Sequence, residues 1–369
     1  MLRSFLPVGQ GAFYRETFNL KEGMHTIVYD CGSLTDLSIV ERQIKHEFKR
    51  RETVDAVFIS HFDEDHINGL PFLLKHCNVK NLFFPLVTTK DKAYLKLKLL
   101  LSADKESFLY KFIDNPQDAI DGLDVDNNVN LLSVGVKENE YVNNNNVGII
   151  SSGTNVVDLL GFDLKGKFAW DMIPFNFRQG ERIDELKKAV AKIFHCGKDK
   201  IEDKIEELIN NYPKDKDKIK EMYKQVKGTF NTNSMTLFSG TKNSCIGQYY
   251  AISKRYFCAC YYQFSTENGC LYMGDYDASG TQKWKNLRDA YNEYWEYIGC
   301  VQIPHHGSRQ SYNNAIAELN AINIISAGCK NSYRHPHSFV IKDLVMNNCL
   351  IHIVTENIGS QVDLKVDVF

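Results

Sequence analysis

The stretch Val54-Asp55-Ala56-Val57-Phe58-Ile59-Ser60-His61-Phe62-Asp63-Glu64-Asp65-His66-Ile67-Asn68-Gly69-Leu70 decides how this chain is read. Val54 to Ser60 is a short apolar run that predicts a buried strand. It ends directly in His61, Asp63, Asp65 and His66, four metal-competent side chains within six residues, where the chain leaves the sheet and can turn them towards one point. Imidazole nitrogens and carboxylate oxygens suit zinc, manganese or iron, and two of each can hold and neutralise a pair of cations. A solvated acidic turn with incidental histidines is the plainer alternative.

Working outward, Phe13–Phe18 and His25–Asp30 predict two strands joined by a turn at Glu22-Gly23, and Leu37, Ile39, Val40, Ile44 and Phe48 give an amphipathic helix ending in the cationic run Lys45 to Arg51. Between about Pro85 and Gly228 the composition changes. Lys90 to Phe112 is Leu- and Lys-rich and helical, Asp121 to Gly153 suggests loops with short strands, and Glu181 to Lys227 suggests two or three exposed helices broken near Pro213. The expected organisation is residues 1–85 and 229–369 as two halves of one α/β domain, with 86–228 a mixed, mainly helical insertion. Strands are expected to resume at Trp170–Phe177, Ser234–Leu237, Tyr256–Phe264 and Cys270–Gly274, and later at Cys300–Pro304 and Ile322–Ser326.

Polar motifs fall repeatedly at these strand ends. Asp275 follows Leu271-Tyr272-Met273-Gly274, a good place for a carboxylate bridging two metals, although a Gly-Asp turn alone is common. His305-His306-Gly307-Ser308 follows a third strand, where Gly307 lets the backbone approach a ligand and Ser308 offers a hydroxyl. His335-Pro336-His337 follows a fourth, with phosphate binding or proton transfer weighed against a capped turn before the helix Phe339–Met346.

With 369 residues, 43% of them hydrophobic, the chain can bury a substantial core. Its formal net charge of −2 excludes the global basic field of an obvious nucleic-acid binder, so any polyanion contact must be local or carried by metal. Lys45 to Arg51, Lys224, Lys227, Arg309 and Arg334 are candidate local cations, each equally an ordinary solvated charge. No apolar run approaches a membrane span and the start lacks a signal-peptide pattern, so a soluble cytoplasmic protein is expected. The ten cysteines show no C-x-x-C spacing, which favours reduced thiols.

Together these motifs resemble the metallo-β-lactamase fold hydrolases, and within them the hydrolase domain of the ComEC-family DNA-uptake competence proteins. Pro7-Val8-Gly9-Gln10-Gly11 resembles that group's opening V-G-Q-G, Tyr29-Asp30-Cys31-Gly32 its D-x-G turn, and Ser60 to Leu70 its metal loop. Asn231-Thr232-Asn233-Ser234, Gly274-Asp275, Pro304 to Ser308, and Ser326-Ala327-Gly328 through Tyr333-Arg334-His335-Pro336-His337 follow in the same order. The likeness covers roughly residues 1 to 85 and 228 to 369. It implies an α/β fold, the four-layer αβ/βα sandwich with two sheets face to face and metals at one edge. The competence proteins' membrane spans are absent, and Asp63 stands where the wider fold has a second histidine. Asn231, Asn233 or Ser234 is then the candidate to complete that half of the site, or the site prefers manganese over zinc.

The implied mechanism is a metal-dependent phosphodiesterase, a nuclease acting on DNA, with two divalent ions (Mn or Zn). His61, Asp63 and Asp275 would hold one; Asp65, His66, Asp275 and one of His305 and His306 the other, the choice between those two remaining open. Asp30 would orient the metal loop, and two cations about 3.5–4 Å apart would activate a hydroxide between them. The histidine that is not a ligand, with Ser308, His335 and His337, would bind phosphoryl oxygens or protonate the leaving group. The alternatives are a small-molecule hydrolase acting on a phosphoester, cyclic nucleotide or lactone, and a partner-gated effector subunit of a bacterial defence system that docks another protein through the insertion.

Overall fold

The computed structural model describes residues 1–369 except 126–127, 137–146, 165–168, 227–229, 243–246, 250–263 and 367–369, and for 247–249 and 264–266 it describes the backbone alone. Most of the strand expected at Tyr256–Phe264 lies outside the described residues. Strands β1 (Leu2–Phe5), β2 (Phe13–Leu20), β3 (Gly23–Cys31), β4 (Thr53–Phe58), β5 (Asn78–Pro85), β6 (Asn130–Gly135), β7 (Gly148–Ser151) and β16 (Val362–Lys365) form one sheet in the order β16-β1-β2-β3-β4-β5-β6-β7. A second sheet has the order β15-β14-β13-β12-β9-β8, from β8 (Trp170–Arg178), β9 (Asn233–Thr241), β12 (Gly269–Tyr272), β13 (Ile298–Gln302), β14 (Ile322–Ser326) and β15 (Leu350–Val354). A separate ribbon pairs β10 (Gly247–Tyr249) with β11 (Phe264–Thr266).

The sheets face each other across a core that includes Phe5, Tyr14, Tyr29, Phe58, Phe83, Trp170 and Tyr272. Tyr29 and Tyr272 stack across it with ring centroids 4.9 Å apart. Helices cover both outer faces, giving the four layers. Outside the first sheet lie α1 (Leu37–Glu47), α2 (Glu64–Ile67), α3 (Leu70–His76), α4 (Thr89–Leu99), α5 (Phe108–Asp114) and α6 (Pro116–Asp121), followed by α7 (Gly180–Phe194), α8 (Ile201–Asn210) and α9 (Lys216–Lys224). Outside the second lie α10 (Gly280–Ala290) and α11 (Ser338–Met346). None of the described helices is long and apolar enough to cross a membrane, and the described cysteines form no disulfide.

Residues 86–228 differ from the separate insertion that composition suggested. They supply β6 and β7 to the first sheet and β8 to the second, and α7, α8 and α9 are not simply exposed. Ile183, Leu186, Val190, Ile205, Ile219 and Met222 are buried in the same apolar cluster as α1 and β4. Dense Lys and Glu on the outward faces concealed an inward stripe at helical spacing.

The parallel pairs β3–β4–β5 and β12–β13–β14–β15 bring several carboxyl strand ends to one edge, the usual place for a site in an α/β architecture. A buried polar cluster clamps the sheets together. Arg3 donates to Glu16 Oε1 at 2.7 Å and to the Ser239 and Asn268 carbonyls of the other sheet, while Tyr272 donates to the same Glu16 oxygen at 2.8 Å. Arg3→Ala strands a buried carboxylate and is expected to cost about 3–5 kcal/mol in urea denaturation. A loss below about 1 kcal/mol would show that the Arg3–Glu16 contact contributes no more than an exposed pair.

Candidate metal centre

β4 delivers the metal loop, and two glycine motifs make room for it. A Cβ on Gly32 would lie 2.6 Å from the Asp65 carbonyl carbon and the His66 nitrogen, and one on Gly11 would lie 2.8 Å from the Asp65 carbonyl oxygen. Ala12 N–H donates to that same carbonyl at 3.0 Å. The V-G-Q-G and D-C-G segments are therefore the bed on which Asp65 and His66 rest.

Asp30, buried with a left-handed φ of 55°, sets the loop's side chains. Its Oδ1 accepts from Ser60 N–H at 2.7 Å, and its Oδ2 accepts from Ser60 Oγ at 2.8 Å and from His66 Nδ1 at 2.7 Å. Ser60 Oγ, having given its proton to Asp30, accepts from His61 Nδ1 at 2.9 Å. The network thus places a hydrogen on Nδ1 of both histidines and leaves each Nε2 facing the centre.

Asp275 arrives from the end of β12. Gln302 holds that end by accepting from the Met273 and Gly274 amides at 2.8 and 2.7 Å. His305 and His306 leave β13 with consecutive left-handed φ values of 50° and 55°, a costly backbone that appears at functional sites. His306 Nδ1 donates to the Ser326 carbonyl at 2.8 Å, while its Nε2 lies 3.1 Å from Asp65 Oδ2 and 3.8 Å from Asp275 Oδ1. His305 Nδ1 meets Ser311 Oγ at 3.1 Å and its Nε2 lies 3.4 Å from Asp275 Oδ2. His61 Nε2 is 3.7 Å from the same oxygen.

Among the described residues, two groups of buried ligand atoms converge within 4.8 Å, His61–Asp65–His66 and His66–Asp275–His306. They group His306, rather than His305, with His66 and Asp275. His66 Nε2 and Asp275 Oδ1 face each other at 3.2 Å but are misaligned for a hydrogen bond, and neither atom finds one among the described residues. Buried, convergent and unsatisfied, this donor set fits a divalent cation.

The electrostatics fit as well. Burial alone would depress His66, but Asp30, Asp275 and Asp65 hold its pKa well above the usual value. Burial would raise Asp275, yet His305, His66 and His61 hold it well below the usual carboxylate range. Burial, then the neighbouring His66 charge, pushes His61 down. His335 is pushed down to about 4 by burial and by His305 and His306.

A cavity of about 220 Å³ opens over the centre, lined among others by Gln10, Asp63, Asp65, Lys98, Tyr333 and His335. Asn231 also reaches the site. With its amide turned to suit the surrounding acceptors, its nitrogen lies 3.0 and 3.1 Å from the Asp63 oxygens and 3.0 Å from the Phe230 carbonyl.

Four of the expected site residues fall elsewhere. Asn233 donates to Asn176 Oδ1 at 2.9 Å between β9 and β8, and Ser234 is buried in β9, paired with Phe177. Ser308 Oγ accepts from Gln310 N–H within its own turn at 3.3 Å. His337 Nδ1 accepts from Phe339 N–H and caps α11, so for this residue the capped turn is what forms. The cationic run Lys45 to Arg51 precedes β4, while the metal loop follows it, which separates them by roughly 20 Å. Lys98, Ser60, Gln302 and Ser311 were not anticipated. Ser60 alone carried a signal, its place between the strand and His61.

Because His66 must give up a proton to ligate through Nε2, divalent-cation binding at pH 7 is expected to release protons and to tighten as pH rises. Titration calorimetry in buffers of different ionisation heats measures this, and buffer-independent heats would remove His66 from the ligand set. Asp30→Ala is expected to weaken metal affinity about 10–100-fold by freeing the His66 ring.

Comparison with known proteins bears on the same loop. Residues 19–87, which contain β3, β4 and the whole metal loop, match the family model described as "Metallo-beta-lactamase superfamily". A protein of Pediococcus pentosaceus described as "Ribonuclease Z" is 31% identical over 107 residues, which is 27% of this chain and 32% of that protein. A solved structure described as "Crystal structure of a long form RNase Z from yeast" aligns with TM-score 0.35 and 9% identity, covering 89% of this chain and 37% of that one. The matched region thus spans about a third of each of those proteins. Residues 19–87 thus match the metallo-β-lactamase superfamily model, and the two helix-flanked sheets form the αβ/βα sandwich of that fold.

Proposed function

We propose that the protein is a metal-dependent hydrolase and, more narrowly, a phosphodiesterase of the nuclease kind acting on DNA. The observation that carries this reading is the buried, unsatisfied convergence of His66 Nε2 and Asp275 Oδ1 with Asp65, His306 and His61 at the edge where the strands end. The likeness of 107 residues to a protein named ribonuclease Z and the motif likeness to the competence hydrolases support a nuclease over other hydrolases of this fold.

Asp65, His66, Asp275 and His306 would hold the metal, manganese or zinc, with His61 beside them. Bound there, a divalent cation supplies Lewis acidity towards a phosphoryl oxygen and makes water nucleophilic near neutral pH. The chain's own groups do the rest. Asp30, Ser60 and the Ser326 carbonyl fix the imidazole rings so that their Nε2 atoms need no reorganisation. His335 is held neutral above the centre, and its buried Nδ1 has no hydrogen-bond partner among the described residues. It offers an imidazole to a phosphoryl or leaving-group oxygen. Tyr333, exposed at the cavity, gives a face for a base or an aryl group to stack on.

A second reading, a hydrolase of small phosphoesters, is favoured by the size of the cavity and by its charge. Lys98 is the only Lys or Arg lining it among the described residues, and the Lys45 to Arg51 run is remote. The deciding experiment supplies manganese or zinc and assays labelled single- and double-stranded DNA, RNA and bis-p-nitrophenyl phosphate, with wild type against Asp65→Ala. Metal-dependent cleavage should fall by more than roughly 100-fold in the variant, exceeding the loss typical of an orienting residue. Turnover of the aryl phosphodiester without any polynucleotide selects the second reading, and no phosphodiester cleavage at all overturns the phosphodiesterase reading.

A further inference from the structure

Lys98 belongs to α4, in the middle segment of the chain, yet its ammonium lines the same cavity as Asp65, Asp275 and His306. Its Nζ lies 2.7 Å from Asp63 Oδ1 and donates to the Phe230 carbonyl at 2.7 Å, with about a quarter of the side chain exposed (26%). With its amide turned as above, Asn231 places its nitrogen 3.0 and 3.1 Å from the two oxygens of the same carboxylate. Asp63 is therefore already paired with an ammonium through Oδ1 and faces the Asn231 amide, while its Oδ2 lies 3.8 Å from His61 Nε2. It belongs to neither of the two groups of convergent ligand atoms, although the sequence pattern assigns it to a metal.

A carboxylate engaged in this way has little left to offer a divalent ion, and the neighbouring ammonium repels one. The other half of the centre is built differently. Asp65, His66, Asp275 and His306 face one another with no Lys or Arg within ion-pair distance among the described residues, and their Nε2 and carboxylate atoms point inward.

We propose that Lys98 is a built-in cation of this centre. Its ammonium occupies the Asp63 end in place of a second divalent ion, so the chain holds one divalent ion on Asp65, His66, Asp275 and His306. The exposed part of Lys98 then presents the second positive charge to an anionic oxygen of the substrate. The residue that converts a two-ion pattern into one ion plus an ammonium comes from the segment that the family resemblance does not cover. This inference rests on the reading of the centre as a metal site.

The test counts metal. Metal-stripped full-length protein is loaded with manganese, and in parallel with zinc, desalted, and analysed for ions per chain in wild type, Asp63→Asn, Asp65→Asn and Lys98→Met, with thermal unfolding of each variant as the control for folding. One ion per chain is expected in wild type and in Asp63→Asn, close to none in Asp65→Asn, and a rise towards two in Lys98→Met. Asp63→Asn preserves shape and keeps the test decisive even if Lys98→Met is destabilised. Two ions in wild type, or any loss of metal in folded Asp63→Asn, overturns the proposal and leaves the metal centre standing. A folded Lys98→Met that still holds one ion also overturns it, because Lys98 would then not be what excludes the second. No ion in wild type overturns the metal centre itself.

Discussion

The 2.7 Å hydrogen bond from His66 Nδ1 to Asp30 joins the end of β3 to the loop after β4, and the site is organised around it. Asp30 is fully buried, and a buried carboxylate is tolerable only where donors surround it. Ser60 supplies two and His66 the third. Satisfying Asp30 thereby dictates which nitrogen of His66 carries the hydrogen and which faces the centre. Through Ser60 Oγ the same requirement reaches His61. The backbone under the loop is constrained in turn, since Gly32 and Gly11 pass so close to Asp65 that a Cβ at either would collide with main chain. Motifs separated by tens of residues are in this sense one physical unit.

That unity explains which parts of the site were legible. Apolar strands that break off into His, Asp and Gly advertise themselves, and His61, Asp65, His66, Asp275 and His306, all read in that way, are residues that the fold brings together. Direction was harder to read than position. Asn231 and Asn233 are two apart, but Asn231 lies before β9 and reaches Asp63, while Asn233 is already in the ladder and is used between β8 and β9. His335 and His337 are likewise two apart. The first faces His305 and His306 with ring centroids 5.6 and 6.3 Å away, whereas the second is needed at the N-terminus of α11. A motif shared by two neighbouring residues does not say which of them the turn will point inward.

Lys98 was illegible for a different reason. In Thr89–Leu99 the buried residues include Tyr94, Leu95, Leu97 and Leu99, with Lys96 and Lys98 between them, an alternation that belongs to a strand more than to a helix. On a helix the same positions form one broad arc with Lys98 inside it and Lys96 opposite, but that spacing does not say what the Lys98 ammonium meets. What settles its direction is tertiary. α4 packs against α8, and its Tyr94 carbonyl accepts from Tyr223 just beyond Met222 of α9, which anchors the helix in the shared apolar layer with Lys98 over Asp63.

The charge balance of the centre follows from these placements. Asp30, Asp63, Asp65 and Asp275 are carboxylates gathered in one small volume, and their mutual repulsion would oppose folding if nothing compensated it. At the Asp63 end the compensation is covalently part of the chain, in Lys98. At the other end it comes from imidazoles, His66 and His306 being held in favour of their protonated forms by Asp30, Asp65 and Asp275 against the opposing effect of burial. The imidazole protons can leave when a cation arrives, whereas the Lys98 side chain stays where its helix holds it. The two ends therefore differ in kind: one gathers imidazoles and carboxylates around buried atoms without partners among the described residues, and the other holds a side chain that the fold brings in from α4.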